Sequence, residues 1–254
     1  MLHSQIIITT LFFYLLGTMF QASVFVCPAK QLRGWAIGLG LIAVCCHAIL
    51  LHLWIDVRHE QNLSFLNLFS LMTWLIAVFV LVIAIRKKIE LLMLIIFPLN
   101  ALSIILIKLF PAQSIINTLS NSDNLFHILL SVFMLCVLCF AGLCAVLLSL
   151  QEYCLRNKKC SILMAKLPAL ESMEILLSQS ISLGFILLSA VLVTSLYFYH
   201  DIMISQHLVL KTILTTCSWL VLTLLLVGRF SQKIMIFGTY LSIFLLIAAV
   251  VLKN

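Results

Sequence analysis

Eight stretches nearly free of charge divide this chain, near Ile6 to Val26, Trp35 to Ile55, Phe65 to Ile85, Leu91 to Leu109, Leu125 to Leu150, Ile175 to Tyr199, Leu208 to Val227 and Ile234 to Leu252. At about 1.5 Å of rise per residue, roughly 20 apolar residues carry a helix across the hydrocarbon core of a bilayer. No water is present there, so each stretch must bond its own N–H and C=O groups, and these stretches are about twice the length of a membrane-barrel strand. The sequence therefore predicts an all-α fold, a polytopic integral membrane bundle of eight transmembrane helices, forming a single transmembrane domain over residues 1–254. The composition agrees: 64% hydrophobic and 9% charged, against about 25% charged in soluble domains. That excludes a cytosolic enzyme or a nucleic-acid-binding domain.

The net charge of +7 has a topological explanation, because Lys and Arg near helix ends are retained on the cytoplasmic side. The connections after the first, third, fifth and seventh stretches hold Lys30 and Arg33; Arg86, Lys87 and Lys88; Arg156, Lys158, Lys159 and Lys166; and Arg229 and Lys233, which is 11 of the 15 cations. The opposite face collects Asp56, Glu60, Asp123 and Asp201. The four basic connections are thus expected on the cytoplasmic side of a bacterial inner membrane, with both termini in the periplasm. The lipid bilayer accounts for the basic balance, and no nucleic-acid partner is expected. The first stretch has no basic n-region and is followed by Lys30 and Arg33, so it is expected to stay as a helix rather than be cleaved as a signal.

Nine cysteines raise the question of redox chemistry, but none falls in a periplasmic connection on this topology. Cys136 and Cys139 form a CxxC inside the fifth apolar stretch, where packing as small apolar residues is favoured over thiol chemistry. No phosphate-cradling glycine loop, H-E-x-x-H or G-x-S-x-G is found. An enzyme is not expected.

Polar residues inside a membrane cost free energy, so they mark where function is sought. His47 and His52 lie on the second helix, about 140° apart, and cannot share one face. An interhelical hydrogen bond is the favoured reading for His47. His127 and His207 each open a helix at its periplasmic end and so share one depth. A neutral imidazole is a common axial ligand of haem iron, and two offered from neighbouring helices could hold the macrocycle between them. Lys211, one turn beyond His207, is positioned to pair with a propionate. The competing reading makes both histidines interfacial groups bonded to lipid headgroups.

The segments Asn62-Leu63-Ser64-Phe65, Leu125-Phe126-His127-Ile128, Leu167-Pro168-Ala169-Leu170-Glu171, Ser182-Leu183-Gly184-Phe185 and Gln206-His207-Leu208-Val209, with Trp219 and Gly228-Arg229, come in an order and spacing that resembles the cytochrome c assembly membrane-protein superfamily, in its YpjD- and HemX-like branch. The resemblance runs through nearly the whole chain. It implies that His127 corresponds to a haem-ligating histidine, and that the loop before the seventh helix is where haem-attaching members carry a tryptophan-rich motif. Here that loop runs from Tyr199 to His207 without tryptophan. Val227 and Leu210 also stand where relatives carry further histidines. The implied function is haem binding or haem handling associated with cytochrome c biogenesis or haem homeostasis, without attachment of haem to an apocytochrome. Other cytochrome-assembly or haem-synthesis proteins are the implied partners. The alternatives are a haem-free membrane scaffold or regulator of haem synthesis, and a small-solute transporter.

Overall fold

The computed structural model describes residues 2–26, 30–57, 60–87, 89–111, 115–117, 122–157, 169–198, 206–228 and 230–251. Its helices are α1 (Leu2–Val26), α2 (Lys30–Ile55), α3 (Phe65–Arg86), α4 (Glu90–Leu109), α5 (Ser122–Asn157), α6 (Leu170–Phe198), α7 (Gln206–Val227) and α8 (Gln232–Val251). All eight are long and apolar enough to cross a membrane. Large apolar side chains such as Phe12, Met19, Val82, Phe237 and Phe244 are exposed, as expected where lipid is the solvent.

The helices outrun the apolar stretches wherever the flanking residues can sit among headgroups. α5 continues through Gln151 and Arg156 to Asn157, and α6 begins at Leu170, five residues before Ile175. Hydropathy marks the hydrocarbon core, whereas helix hydrogen bonding ignores that boundary. Glu171 in the first turn of α6 complements the positive end of its dipole. Pro168 of the Leu167-Pro168-Ala169-Leu170-Glu171 segment lies outside the described residues.

Three short strands were read from sequence only as polar connections: β1 (Asp56–Val57), β2 (Glu60–Asn62) and β3 (Ile115–Asn117). They pair antiparallel in the order β1-β2-β3, with Val57 opposite Glu60 and Asn62 opposite Ile115. Backbone groups at the rim of a helical unit need partners, and pairing the connections supplies them.

The chain divides into two compact units, α1 to α4 with the sheet, and α5 to α8. In each, the end where the odd-numbered helices begin is here its upper end. In the first unit the fully buried Phe97 of α4 fills the space left by Gly40 on α2, where a Cβ would lie 2.5 Å from its Cζ and 3.0 Å from Leu81 Cδ2. At the lower end, Arg33 Nη2 donates to the carbonyls of Ala84 (2.6 Å) and Lys87 (2.8 Å), and Nε lies 3.5 Å from Glu90 Oε1. In the second unit, Ser218 and Ser242 hydroxyls meet at 2.7 Å between α7 and α8, and Lys233 pairs with Glu152 at 3.2 Å. Arg33 and Lys233, read from sequence as topology signals, therefore also tie helices together.

Candidate functional site

His127 lies in the second turn of α5, half-buried at the upper end of the second unit. Its Nδ1 is 2.9 Å from Thr194 Oγ1, near the upper end of α6. The Thr194 hydroxyl also lies 3.0 Å from the Val191 carbonyl of its own helix. Thr194 therefore joins α5 to α6 and orients the His127 imidazole through Nδ1. A metal-ligating histidine takes this form, with one nitrogen oriented by a partner and the other directed at the metal. Thr194 was missed in the sequence. The only signal for it was a hydroxyl near the end of the sixth apolar stretch, at the depth of His127.

His207 is the second residue of α7, so the fold brings it to the upper end of the same unit as His127; its side chain lies outside the described residues. Lys211, one turn further along α7, is half-buried. α7 is held against α6 by Trp219, whose Nε1 donates to Ser189 Oγ at 2.8 Å and whose ring stacks on Phe185 at 5.5 Å between centroids. Thus α6 carries both the hydroxyl that orients His127 and the surface on which α7 packs. Among the described residues, no group of three or more His, Cys, Asp and Glu side chains could hold a metal ion.

The first unit contains a second polar constellation, centred on His47. Its Nδ1 is 3.0 Å from Tyr14 Oη and its Nε2 is 2.9 Å from Ser70 Oγ. Ser70 Oγ lies 3.1 Å from Ser103 Oγ, which donates to the Asn100 carbonyl at 2.8 Å. Asn100 Nδ2 in turn donates to the Thr73 carbonyl at 3.1 Å. Tyr14, His47, Ser70, Thr73, Asn100 and Ser103 are all buried and together join all four helices of the unit. The interhelical hydrogen bond expected for His47 is present on both ring nitrogens. His52 is instead exposed and lies 3.5 Å from Asp56, so the two histidines diverge as their spacing required.

His47→Ala removes two interhelical bonds, each worth about 0.6 kcal/mol in membrane proteins, and should lower the unfolding free energy by about 1 kcal/mol. Tyr14→Phe should cost about half of that. Thermal unfolding in detergent checks both, and a His47→Ala protein as stable as the wild type would contradict the network's structural role.

The Cytochrome C assembly protein family matches over residues 35–253, which leaves out α1 and the first five residues of α2. The Inner membrane protein YpjD of Escherichia coli K12 is 32% identical over 204 residues, covering 78% of this chain and 77% of the relative. The YpjD protein of Escherichia coli O157:H7 matches to the same extent. No solved structure matches.

Proposed function

From the premise that the chain belongs to the Cytochrome C assembly protein family, we propose that it is a multi-pass inner-membrane protein that binds or hands on haem at the upper end of its second unit, without catalysing haem attachment. The observation that carries this reading is the hydrogen bond between His127 Nδ1 and Thr194 Oγ1, which holds the imidazole by one ring nitrogen at the upper end of the unit, as a metal-ligating histidine is held. A macrocycle brings four of the iron's ligands itself, so one or two imidazoles suffice. His127 and His207 are the residues that would hold the haem iron, and Lys211 the one that would pair with a propionate. When bound, haem supplies iron redox and ligand-exchange chemistry; the chain supplies ligation, orientation and an apolar surround.

A second reading, a haem-free scaffold or regulator acting with haem-synthesis or cytochrome-assembly proteins, draws on the absence of tryptophan between Tyr199 and His207. Haem content of the protein purified from cells supplied with a haem precursor separates the two. About one haem per chain is expected, and none would favour the scaffold.

The upper ends are assigned to the periplasm, together with both termini, because 11 of the 15 cations fall in or beside the connections that follow α1, α3, α5 and α7. A reporter active only in the cytoplasm should be silent when fused after Asn254 and active when inserted near Lys158. The reverse pattern would overturn the orientation and put the His127 site on the cytoplasmic side.

A further inference from the structure

A cavity of about 380 Å³ opens at the upper end of the first unit, between the tips of α1, α2 and α4 and the start of α3. Ser64 occupies the N-cap position of α3, yet its side chain makes no capping hydrogen bond. It is only 3% exposed, lines the cavity, and donates to no described residue. Asn67, also 3% exposed, spends its amide nitrogen on the carbonyls of Asn62 (2.9 Å) and Trp54 (3.4 Å), and its Oδ1 accepts from no described residue. The first turn of α3 has no acidic residue, and no Asp or Glu lines the cavity among the described residues. Lys108 stands at the rim, exposed and in no ion pair with a described residue.

We propose that this cavity is an oxyanion site, taking a carboxylate or phosphate group at the N-terminus of α3 between the Ser64 hydroxyl and the Lys108 ammonium. The free N–H groups of a helix's first turn and its positive dipole end favour an anion, and a hydroxyl and an ammonium add two donors. A serine at an N-cap ordinarily bonds the helix itself. Here a nearly buried one lines the cavity with no partner for its hydroxyl among the described residues, which points to a ligand there. Trp54, Ile107 and Phe110 supply apolar wall beside these donors. A group of several heavy atoms fits the volume, since one water takes about 30 Å³. The favoured source of the oxyanion is therefore the head of an acidic lipid, with free phosphate as the other source. The site lies in a different unit from His127 and does not depend on the haem reading.

The test uses the full-length protein in a neutral detergent, titrated with dihexanoyl phosphatidylglycerol, dihexanoyl phosphatidylcholine or inorganic phosphate, with binding read by native mass spectrometry and calorimetry. The acidic lipid should bind at least tenfold more tightly than the zwitterionic one. Saturable phosphate binding as strong as that of the acidic lipid would assign the site to a free oxyanion, and phosphate binding much weaker would assign it to the lipid; both outcomes support the site. Lys108→Gln should weaken binding roughly tenfold, the effect of losing one charged donor. Arg86→Gln, which removes a cation at the far end of α3, should leave it unchanged. Ser64→Asp is the decisive variant. Its carboxylate caps α3 and keeps or raises the melting temperature, but it fills the anion position and should abolish binding. A Ser64→Asp protein that folds and binds the acidic lipid within twofold of wild type, or equal binding of acidic and zwitterionic lipid, would overturn the proposal.

Discussion

His127→Ala should strip the purified protein of most of its haem. The substitution removes the imidazole held in place by Thr194, and loss of that ligand leaves iron with a single histidine at most. His207→Ala should have a different signature, a weaker haem with five-coordinate character, because the oriented ligand remains. Thr194→Val separates orientation from ligation. It keeps the imidazole but removes the hydroxyl that orients it through Nδ1, and loss of such a partner typically costs 10- to 100-fold in metal affinity. Haem titrations of the three variants, read as dissociation constants and spectra, check this ranking. Wild-type affinity in Thr194→Val would mean that the Thr194 bond only joins α5 to α6.

Gly40→Ala should destabilise the first unit by about 1–3 kcal/mol, the usual range for overpacking. In an exposed helix, replacing glycine by alanine gains up to about 1 kcal/mol of helix propensity. At Gly40 the new Cβ would lie 2.5 Å from Phe97 Cζ. The Phe97 ring cannot withdraw easily, because it is fully buried, with Gly17 of α1 on another side and the Tyr14 ring 6.0 Å away. Gly38, on the same helix with nothing within 4 Å of its Cβ position, is the internal control, and Gly38→Ala should be neutral or slightly stabilising. Thermal unfolding of the single variants, and of Gly40→Ala combined with Phe97→Leu, checks the mechanism. The double variant should be less destabilised than the sum of the two single ones, as expected for groups in contact.

The eight spanning helices were legible in the sequence because crossing a bilayer is a one-dimensional requirement, met or missed within a single stretch of residues. Their ends were less so. α5 runs to Asn157 through Gln151 and Glu152, since charged side chains among headgroups do not interrupt a helix. The β1-β2-β3 sheet was not legible, because its pairing of Glu60 with Asn117 joins connections separated by two helices. The histidines divided in the same way. His127 and His47 stood out as polar residues in or beside apolar stretches, but their partners did not. Thr194 lies 67 positions from His127, and Tyr14 lies 33 positions from His47. A lone hydroxyl in a membrane helix can always bond its own backbone, as Thr18 does to Tyr14, so nothing in the residue type separates the partner from its neighbours. Ser64 was read only as part of a family-like segment. Its failure to cap α3 is a property of the folded rim.

The most direct test of the haem site is the low-temperature electron paramagnetic resonance and optical spectrum of the haem-loaded protein, wild type beside the variant lacking both His127 and His207. A low-spin ferric signal with a sharp Soret band is expected for the wild type, and its loss together with the haem is expected for the double variant. A double variant that keeps the wild-type spectrum and haem stoichiometry would contradict the assignment and move the search to the buried His47 of the first unit.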